Sequence, residues 1–166
     1  MRRIGFGLGM MILTACAVAR AQSPSVTLQP TQGSLVNGTI TVATMGTGVH
    51  FTGTVTGLAP GKHGFHLHEI GDCSAPDATS AGSHFNPDKT AHGGPGAGEH
   101  HAGDLGNIEA DPTGTAKVSI HGAGLTLGSG ANSVMGRAII VHAAEDDLKT
   151  QPTGNAGARL ACGVIK

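Results

Sequence analysis

Histidines that stand two residues apart are the first feature of this sequence that could do chemistry. His66 and His68 lie in a segment that is typical of a β-strand. Because side chains alternate with a period of two along a strand, both imidazoles would project from one face and could chelate one metal ion. Without a further ligand they could equally be two surface histidines on a polar face. His142 follows the apolar run 138–141 and would place a third imidazole at the rim of another strand.

A second group of candidate ligands lies between these histidines in the chain. It comprises three histidines and one aspartate, His84, His92, His101 and Asp104. Three nitrogens and one carboxylate can complete the tetrahedral shell that Zn²⁺ adopts in structural sites. His100 is the immediate neighbour of His101, and spacing alone does not decide between these two.

Short strand-like segments must position these ligands. Runs of alternating or β-branched residues, separated by turn residues, occupy positions 38–43, 49–55, 63–68, 116–120, 138–141 and 160–165. Strands at this spacing predict an all-β sandwich or barrel. Helical character is limited to one candidate turn near 144–148. Segments 73–103 and 143–157 have the composition of long loops, and loops of that length inside a domain are usually functional or disordered.

Composition and charge exclude several other classes of protein. The chain has 166 residues, a length that fits one domain with a short extension. Its formal net charge of −1, with ten Lys and Arg, argues against nucleic-acid binding, which needs clustered basic residues. Charged residues make up 13% and hydrophobic residues 39%, which argues against disorder.

The N-terminus has the pattern of an export signal. Two arginines at positions 2 and 3 precede the apolar run 4–15, which is too short to span a bilayer. Cleavage after Ala21 would remove residues 1–21 and leave one domain, 22–166. Alternatively, the sequence before Cys16 resembles a lipobox, so that residues 1–15 would be removed and Cys16 lipidated. Either event predicts an exported protein of the periplasm or cell envelope, and the second adds a membrane tether.

Cysteine usage agrees with export. Cys16 belongs to the signal region, which leaves Cys73 and Cys162 as a pair. In an oxidising compartment these two are expected to form a disulfide. The alternative is two buried free thiols.

Six short motifs then follow one another along the chain. They are GFHLHEIGD at 64–72, HFNP at 84–87, HGGP at 92–95, HAGDLGN at 101–107, GRAIIVH at 136–142 and GNAGARLACG at 154–163. Together they resemble the copper,zinc superoxide dismutase family, from about residue 38 to residue 165. Cys73 directly after GD is similar to the bacterial exported branch, whereas HGGP and GNAG are closer to the eukaryotic style.

The resemblance implies an eight-stranded Greek-key β-barrel, an immunoglobulin-like sandwich in outline, with two long functional loops. It also implies a copper ion and a zinc ion that share one histidine. The copper ligands would be His66, His68, His84 and His142. The zinc ligands would be His84, His92, His101 and Asp104, and the HAGD motif favours His101 over its neighbour.

Further roles follow from the same resemblance. Arg159 matches the active-site arginine of the family, and the pair Cys73 and Cys162 matches its disulfide. Asp146 matches a carboxylate that links a copper ligand to a zinc ligand and fixes their orientation, with Asp147 as the alternative.

The implied function is superoxide dismutation by alternating reduction and oxidation of copper, with superoxide as the substrate and zinc in a structural role. His84 would accept the proton that the second step needs, and Arg159 would attract the anion. One alternative is an exported copper- and zinc-binding protein without catalysis. Another is a zinc hydrolase, for which Glu69 would be the general base. The chain would act as a monomer or a homodimer.

A few further residues remain outside the expected site. His63 is expected to hydrogen-bond within the fold, and His50 and His121 are expected to be exposed. Lys62 and Lys149 are candidate charges for guiding the substrate.

Overall fold

Alternation of buried and exposed side chains defines the strands. In the second strand, Ile40 and Val42 are buried, whereas Thr39 and Thr41, which alternate with them, are exposed. β-branched residues suit both faces, because they pack well on a pleated surface. The sequence therefore builds a sheet with one face turned to a core.

The computed structural model describes residues 23–166, and these contain eight strands and one short 3-10 turn, Thr79–Ala81. The first four strands are β1 (Ser25–Pro30), β2 (Asn37–Met45), β3 (Gly48–Thr56) and β4 (Gly61–His68). The other four are β5 (Asp104–Ala110), β6 (Ala116–Ala123), β7 (Ala138–His142) and β8 (Arg159–Val164). No helix in this part of the chain is long and apolar enough to cross a membrane.

The strands close into an antiparallel barrel in the order β1-β2-β3-β6-β5-β4-β7-β8. The neighbours β3–β6 and β4–β7 are not consecutive in sequence, which is the pattern of a Greek key. β1 pairs with β8 through Gln29 and Cys162 and completes the ring. Closure leaves no free sheet edge.

The core is filled by aliphatic side chains and three phenylalanine rings, those of Phe51, Phe65 and Phe85. Phe51 and Phe65 pack edge to face with ring centroids 6.4 Å apart, an arrangement that aromatic pairs prefer. Two long loops connect the strands, 69–103 between β4 and β5 and 143–158 between β7 and β8, and the first carries the candidate ligands His84, His92 and His101. A rigid barrel thus carries two long loops that cover part of its surface.

The predicted all-β barrel is confirmed, and the differences are local. β1 was not expected, because Pro30 ends it and proline weakens a strand pattern. β5 was not expected either, since it contains a glycine with φ of 80°, Gly106. Asp104 is therefore the first residue of a strand and not part of a loop. The helical turn near 144–148 was wrong, because that segment is irregular. The predicted signal segment, including Cys16, lies outside the described residues.

Candidate metal centre

Strand β4 places two histidines on the outer side of the barrel. Phe65 and Leu67 point into the core, so His66 and His68, which alternate with them along the strand, face outward. Both histidines are nevertheless buried, since the long loops cover them. His84 joins them through an isolated bridge between its backbone and that of His68.

The first cluster of ring nitrogens, which we call the four-histidine group, is formed by His66, His68, His84 and His142. One nitrogen from each ring lies within 4.8 Å of the corresponding atoms of the others. The ring centroids of His66 and His84 are 4.1 Å apart, and those of His66 and His142 are 4.8 Å apart. Four imidazoles that converge in this way provide a donor set suited to copper.

The second cluster, the Asp104 group, is formed by His84, His92, His101 and Asp104. The Oδ1 atom of Asp104 lies 2.7 Å from Nδ1 of His84 and 3.1 Å from Nδ1 of both His92 and His101. Ligand atoms about 2.0 Å from a tetrahedral ion would lie about 3.3 Å apart, so these separations are close to the edges of a zinc shell.

Backbone groups fix the orientation of the Asp104 carboxylate. The backbone N–H groups of Gly93 and His101 donate to Oδ2, at 3.1 and 2.8 Å. Oδ1 is thereby turned toward the three histidines. The two backbone hydrogen bonds, and not the side-chain rotamer alone, therefore hold Asp104 in the orientation that points Oδ1 at the histidines.

A buried aspartate joins the two groups from behind. His66 Nε2 donates to Oδ2 of Asp146 at 2.8 Å, and His92 Nε2 donates to Oδ1 at 2.9 Å. Asp147 does not contact either histidine. It accepts hydrogen bonds from Thr150 within its own loop. The structure thus brings Asp146, and not its neighbour, between one histidine of each group.

Buried ring nitrogens that lack a hydrogen-bond partner indicate whether metal ions fit these two groups. Within residues 23–166, the buried side-chain nitrogen and oxygen atoms that lack a hydrogen-bond partner are five histidine nitrogens. They are His66 Nδ1, His68 Nε2, His84 Nε2, His92 Nδ1 and His142 Nε2. Buried polar atoms normally have partners, so five such atoms aimed into two clusters fit bound cations.

The hydrogen bond made by one ring nitrogen explains why the other ring nitrogen has no partner. His68 Nδ1 donates to the carbonyl of Gly82 at 2.9 Å, and His142 Nδ1 donates to the carbonyl of Gly157 at 3.2 Å. A ring that donates through one nitrogen keeps a lone pair on the other. The hydrogen bonds at the back of each ring therefore orient the lone pair toward the cluster.

Burial sets the charge of these ligands. It lowers the pKa of His68 to about 2 and that of His142 to about 3, because a charged ring is poorly solvated there. Burial alone would raise the pKa of Asp104. The hydrogen bonds from His84 and from two backbone N–H groups outweigh it and hold the pKa of that carboxyl well below its usual range. Neutral imidazoles and an ionised carboxylate are the states that bind metal ions.

Arg159 lies beside the four-histidine group and is held by two carbonyls. Its Nη1 donates to the carbonyl of Ala78 and its Nη2 to that of Gly82, each at 2.7 Å. Gly82 also accepts the hydrogen bond of His68, so one carbonyl links the guanidinium to a candidate ligand. Burial lowers the pKa of Arg159, but a guanidinium remains charged at neutral pH.

A cavity of about 240 Å³ opens beside the histidine that the two groups share. His84 and His101 line it on one side, and Pro152 and Thr153 of the second loop line it on another. Glu69 also borders the cavity, where its Oε1 accepts the backbone N–H of Ser83 at 3.1 Å.

Three other predicted residues lie away from the centre. His100 donates from Nδ1 to the carbonyl of His101 and belongs to neither group. His63 is buried, and its two ring nitrogens contact the carbonyls of His142 and Ala59. Lys62 forms an exposed ion pair with Glu145 at 2.9 Å.

Comparison with known proteins identifies the family. A family model described as copper/zinc superoxide dismutase matches residues 36–165, which is most of the chain. The chain belongs to the copper/zinc superoxide dismutase family.

Individual relatives of this dismutase-family chain agree with the family model. The chain is 47% identical over 137 residues to "Superoxide dismutase [Cu-Zn] 2" of Mesembryanthemum crystallinum, covering 78% of this chain and 86% of that protein. It is 48% identical over 134 residues to "Extracellular superoxide dismutase [Cu-Zn]" of Haemonchus contortus, covering 77% and 72%. A solved structure titled "Crystal Structure Analysis of the clock protein EA4" superposes with a TM-score of 0.76 at 36% identity, covering 90% and 98%.

The sequence did not reveal two residues that hydrogen-bond to the backbone of site residues and hold them in position. Gln151 forms two hydrogen bonds with the backbone of His92, one as acceptor and one as donor, at 2.8 and 2.9 Å. Asn107 clamps the backbone of Asp146 in the same reciprocal way. Asn107 ends the HAGDLGN motif and could have been found there. Gln151 gives no signal in the sequence, because its role depends on how two loops meet.

Proposed function

We propose that this protein is a superoxide dismutase, which converts superoxide into dioxygen and hydrogen peroxide with copper and zinc as cofactors. One observation carries the proposal. His84 belongs to both clusters, with Nδ1 in the Asp104 group and the partnerless Nε2 in the four-histidine group. Membership of the family over residues 36–165 supports the same reaction.

Ligand chemistry divides the two metals between the clusters. The four-histidine group would hold copper, since imidazole suits copper and leaves room for a small ligand. The Asp104 group would hold zinc, because three nitrogens and a carboxylate complete a closed tetrahedral shell. Bound copper would supply the one-electron redox chemistry that dismutation of superoxide requires.

Arg159 would bind the substrate anion. Its guanidinium is fixed by the carbonyls of Ala78 and Gly82, so little ordering is needed when superoxide arrives. A planar, permanently charged fork suits a small anion better than a flexible ammonium does. The chain has 10 basic and 11 acidic residues, so attraction must come from this local charge and not from the net charge.

His84 would hold the proton that reduction of superoxide requires. Its Nε2 has no partner within the protein, whereas Nδ1 is held beside Asp104 at 2.7 Å. A ring anchored through one nitrogen can gain and lose a proton at the other without changing position. Asp146 would keep the neighbouring rings of His66 and His92 oriented meanwhile.

The intact arginine and family membership favour catalysis over a carrier that only binds metals. The deciding assay is the disappearance of superoxide with purified protein that contains one copper and one zinc per chain. Protein that contains both metals and is inactive would leave the carrier as the better description.

The shared histidine has its own test. His84→Ala should disturb the binding of both metals, because it removes one nitrogen from each cluster. His100→Ala is a suitable control, since that ring is adjacent in the chain to a candidate ligand but belongs to neither group. Loss of only one metal in His84→Ala would contradict the bridging role.

We also propose that the mature protein is exported, to the periplasm or cell envelope. The disulfide between Cys73 and Cys162 supports this, because such bonds persist in oxidising compartments. The leader would be removed after Ala21, or before a lipidated Cys16 that tethers the protein to a membrane. Mass spectrometry of the mature N-terminus distinguishes a diacylated cysteine from a free Gln22. Sedimentation of the mature protein distinguishes a monomer from a homodimer.

A further inference from the structure

Two histidines that the metal centre does not use lie on the outer surface of the neighbouring strands β3 and β6, which pair with neither β4 nor β7. His50 on β3 pairs directly with His121 on β6. Met45 on β2 pairs with Gly48, two residues before His50. We call Met45, His50 and His121 the outer triad.

The alternation of side chains puts the outer triad on one surface. Val49 and Phe51 are buried in the core, so His50 between them points outward. Residues directly opposite in an antiparallel sheet share a face, which places His121 on the same side. Met45 lies on this side too, and 52% of it is exposed.

The hydrogen-bond pattern brings the two histidines close together. Gly124 N–H donates to the carbonyl of Thr47 at 3.2 Å, so these two residues form a hydrogen-bonded pair. Bonded and non-bonded pairs alternate along an antiparallel ladder. Three steps along, His50 and His121 form a non-bonded pair, the closer of the two kinds, with Cβ atoms about 4.5–5.5 Å apart.

A glycine lets the ring of His121 lie across β3 toward the methionine. Gly48 is buried although it faces outward. A Cβ atom at position 48 would lie 2.7 Å from Cε1 and 2.9 Å from Nε2 of His121. The imidazole therefore covers the backbone at the position directly opposite Met45, where a flexible thioether can reach its Nε2 edge.

His50 is held only by an exposed contact. Its Nε2 lies 3.2 Å from Oγ of Ser119, away from Gly48. Water can replace this bond at little cost, because both groups lie at the surface. Rotation of the side chain then turns His50 toward its partner His121.

We propose that the outer triad is a second copper site, selective for Cu(I) and separate from the metal centre. Two imidazoles and a thioether are soft or borderline donors, and this set contains no carboxylate. Thioethers select Cu(I), whereas Mg²⁺ and Ca²⁺ prefer oxygen ligands. Zn²⁺ accepts imidazoles but gains nothing from Met45.

The test is a Cu(I) titration of the holoprotein, with both inner sites already filled. The protein competes anaerobically with a chromophoric Cu(I) chelator, and bound copper is counted beyond the first copper and zinc. Wild type should bind one additional Cu(I) per chain. His50→Gln and His121→Gln should each weaken this binding about 100-fold or more, because one ligand of a chelating pair is lost.

Two further variants separate the proposal from general surface binding. Met45→Leu should weaken the additional Cu(I) site and leave Zn²⁺ binding to the outer triad unchanged. Lys117→Gln alters the same outer surface without touching the outer triad and should bind copper as wild type does. Absence of an additional ion in wild type, or its retention in both histidine variants, overturns the site. Unchanged Cu(I) affinity in Met45→Leu overturns the role of the thioether.

Discussion

A single methyl group at position 154 should weaken the metal centre, although residue 154 is not itself a candidate ligand. Gly154 has φ of 68° and lies against the carboxylate that joins the two clusters. In Gly154→Ala the new Cβ would lie 1.8 Å from Oδ1 of Asp146 and 2.6 Å from Nε2 of His92. Neither distance is tolerable, so the carboxylate, the ring or the loop must move.

The expected size of the effect has two parts. An alanine with positive φ costs about 1–2 kcal/mol of backbone strain wherever it is placed. Displacing Asp146 also breaks its hydrogen bonds with His66 and His92, and such outer partners typically contribute 10–100-fold to metal affinity. We therefore expect zinc affinity to fall by about 10–100-fold, which equals about 1.4–2.7 kcal/mol.

Gly157→Ala is the matched control. Gly157 has a similar φ of 77°, but the nearest atom to its added Cβ would be 3.6 Å away. Both variants carry the strain of an alanine at positive φ, but only Gly154→Ala also disturbs Asp146, so it should lose more stability in the metal-free state, and zinc affinity should fall only in Gly154→Ala. Competition with a chromophoric zinc chelator measures the affinity, and urea unfolding measures the stability. Equal zinc affinities in the two variants would refute the role given to Asp146.

Three other predictions concern stability and substrate binding. Replacing Cys73 and Cys162 by serine opens a loop with a sequence separation of 89 and should cost about 4–5 kcal/mol in urea unfolding; reductant should lower wild type to the same level and leave the double variant unchanged. In metal-free protein, His68 and His142 have folded pKa values of about 2 and 3, below the unfolded value near 6.5. The unfolded chain therefore binds more protons, and the free energy of unfolding should fall by roughly 2–3 kcal/mol per pH unit as the pH drops from about 6 to 4. If the stability of chelator-treated protein did not change over this pH range, His68 and His142 would not be buried as neutral rings. Arg159→Gln should lower the second-order rate constant for the reaction with superoxide by about tenfold or more and should flatten its dependence on ionic strength. This size lies within the general range for electrostatically steered association, of which this family is an established example. An unchanged rate constant and an unchanged salt dependence would show that Arg159 does not bind the substrate.

The sequence predicts the elements that follow from local pattern. The strand around Ile40 and Val42 follows from alternation, and the all-β class follows from many such segments. β5 departs from this rule, because its glycine and aspartate are poor strand formers. Its pairing with β4, which includes a register shift between Gly64 and His66, overrides local preference.

The candidate ligands can be recognised in the sequence by their residue types, but the hydrogen bonds that hold them in position cannot. Spacing places His66 and His68 on one face, whereas the approach of His84 depends on a loop that folds back over the barrel. The clamp by Gln151 and the carbonyl of Gly82 depend on contacts between distant segments. Such contacts have no period or motif of their own, so only the folded chain reveals them.

The dismutation assay with metal-defined protein tests the central claim most directly. Superoxide is generated as a pulse, and its decay is followed with protein that contains one copper and one zinc per chain. We predict decay that is first order in protein, with many turnovers per copper and equal amounts of dioxygen and hydrogen peroxide formed. Protein with only zinc should be inactive. No acceleration at the full copper and zinc content, or equal activity with zinc alone, would contradict the assignment of this chain as a superoxide dismutase.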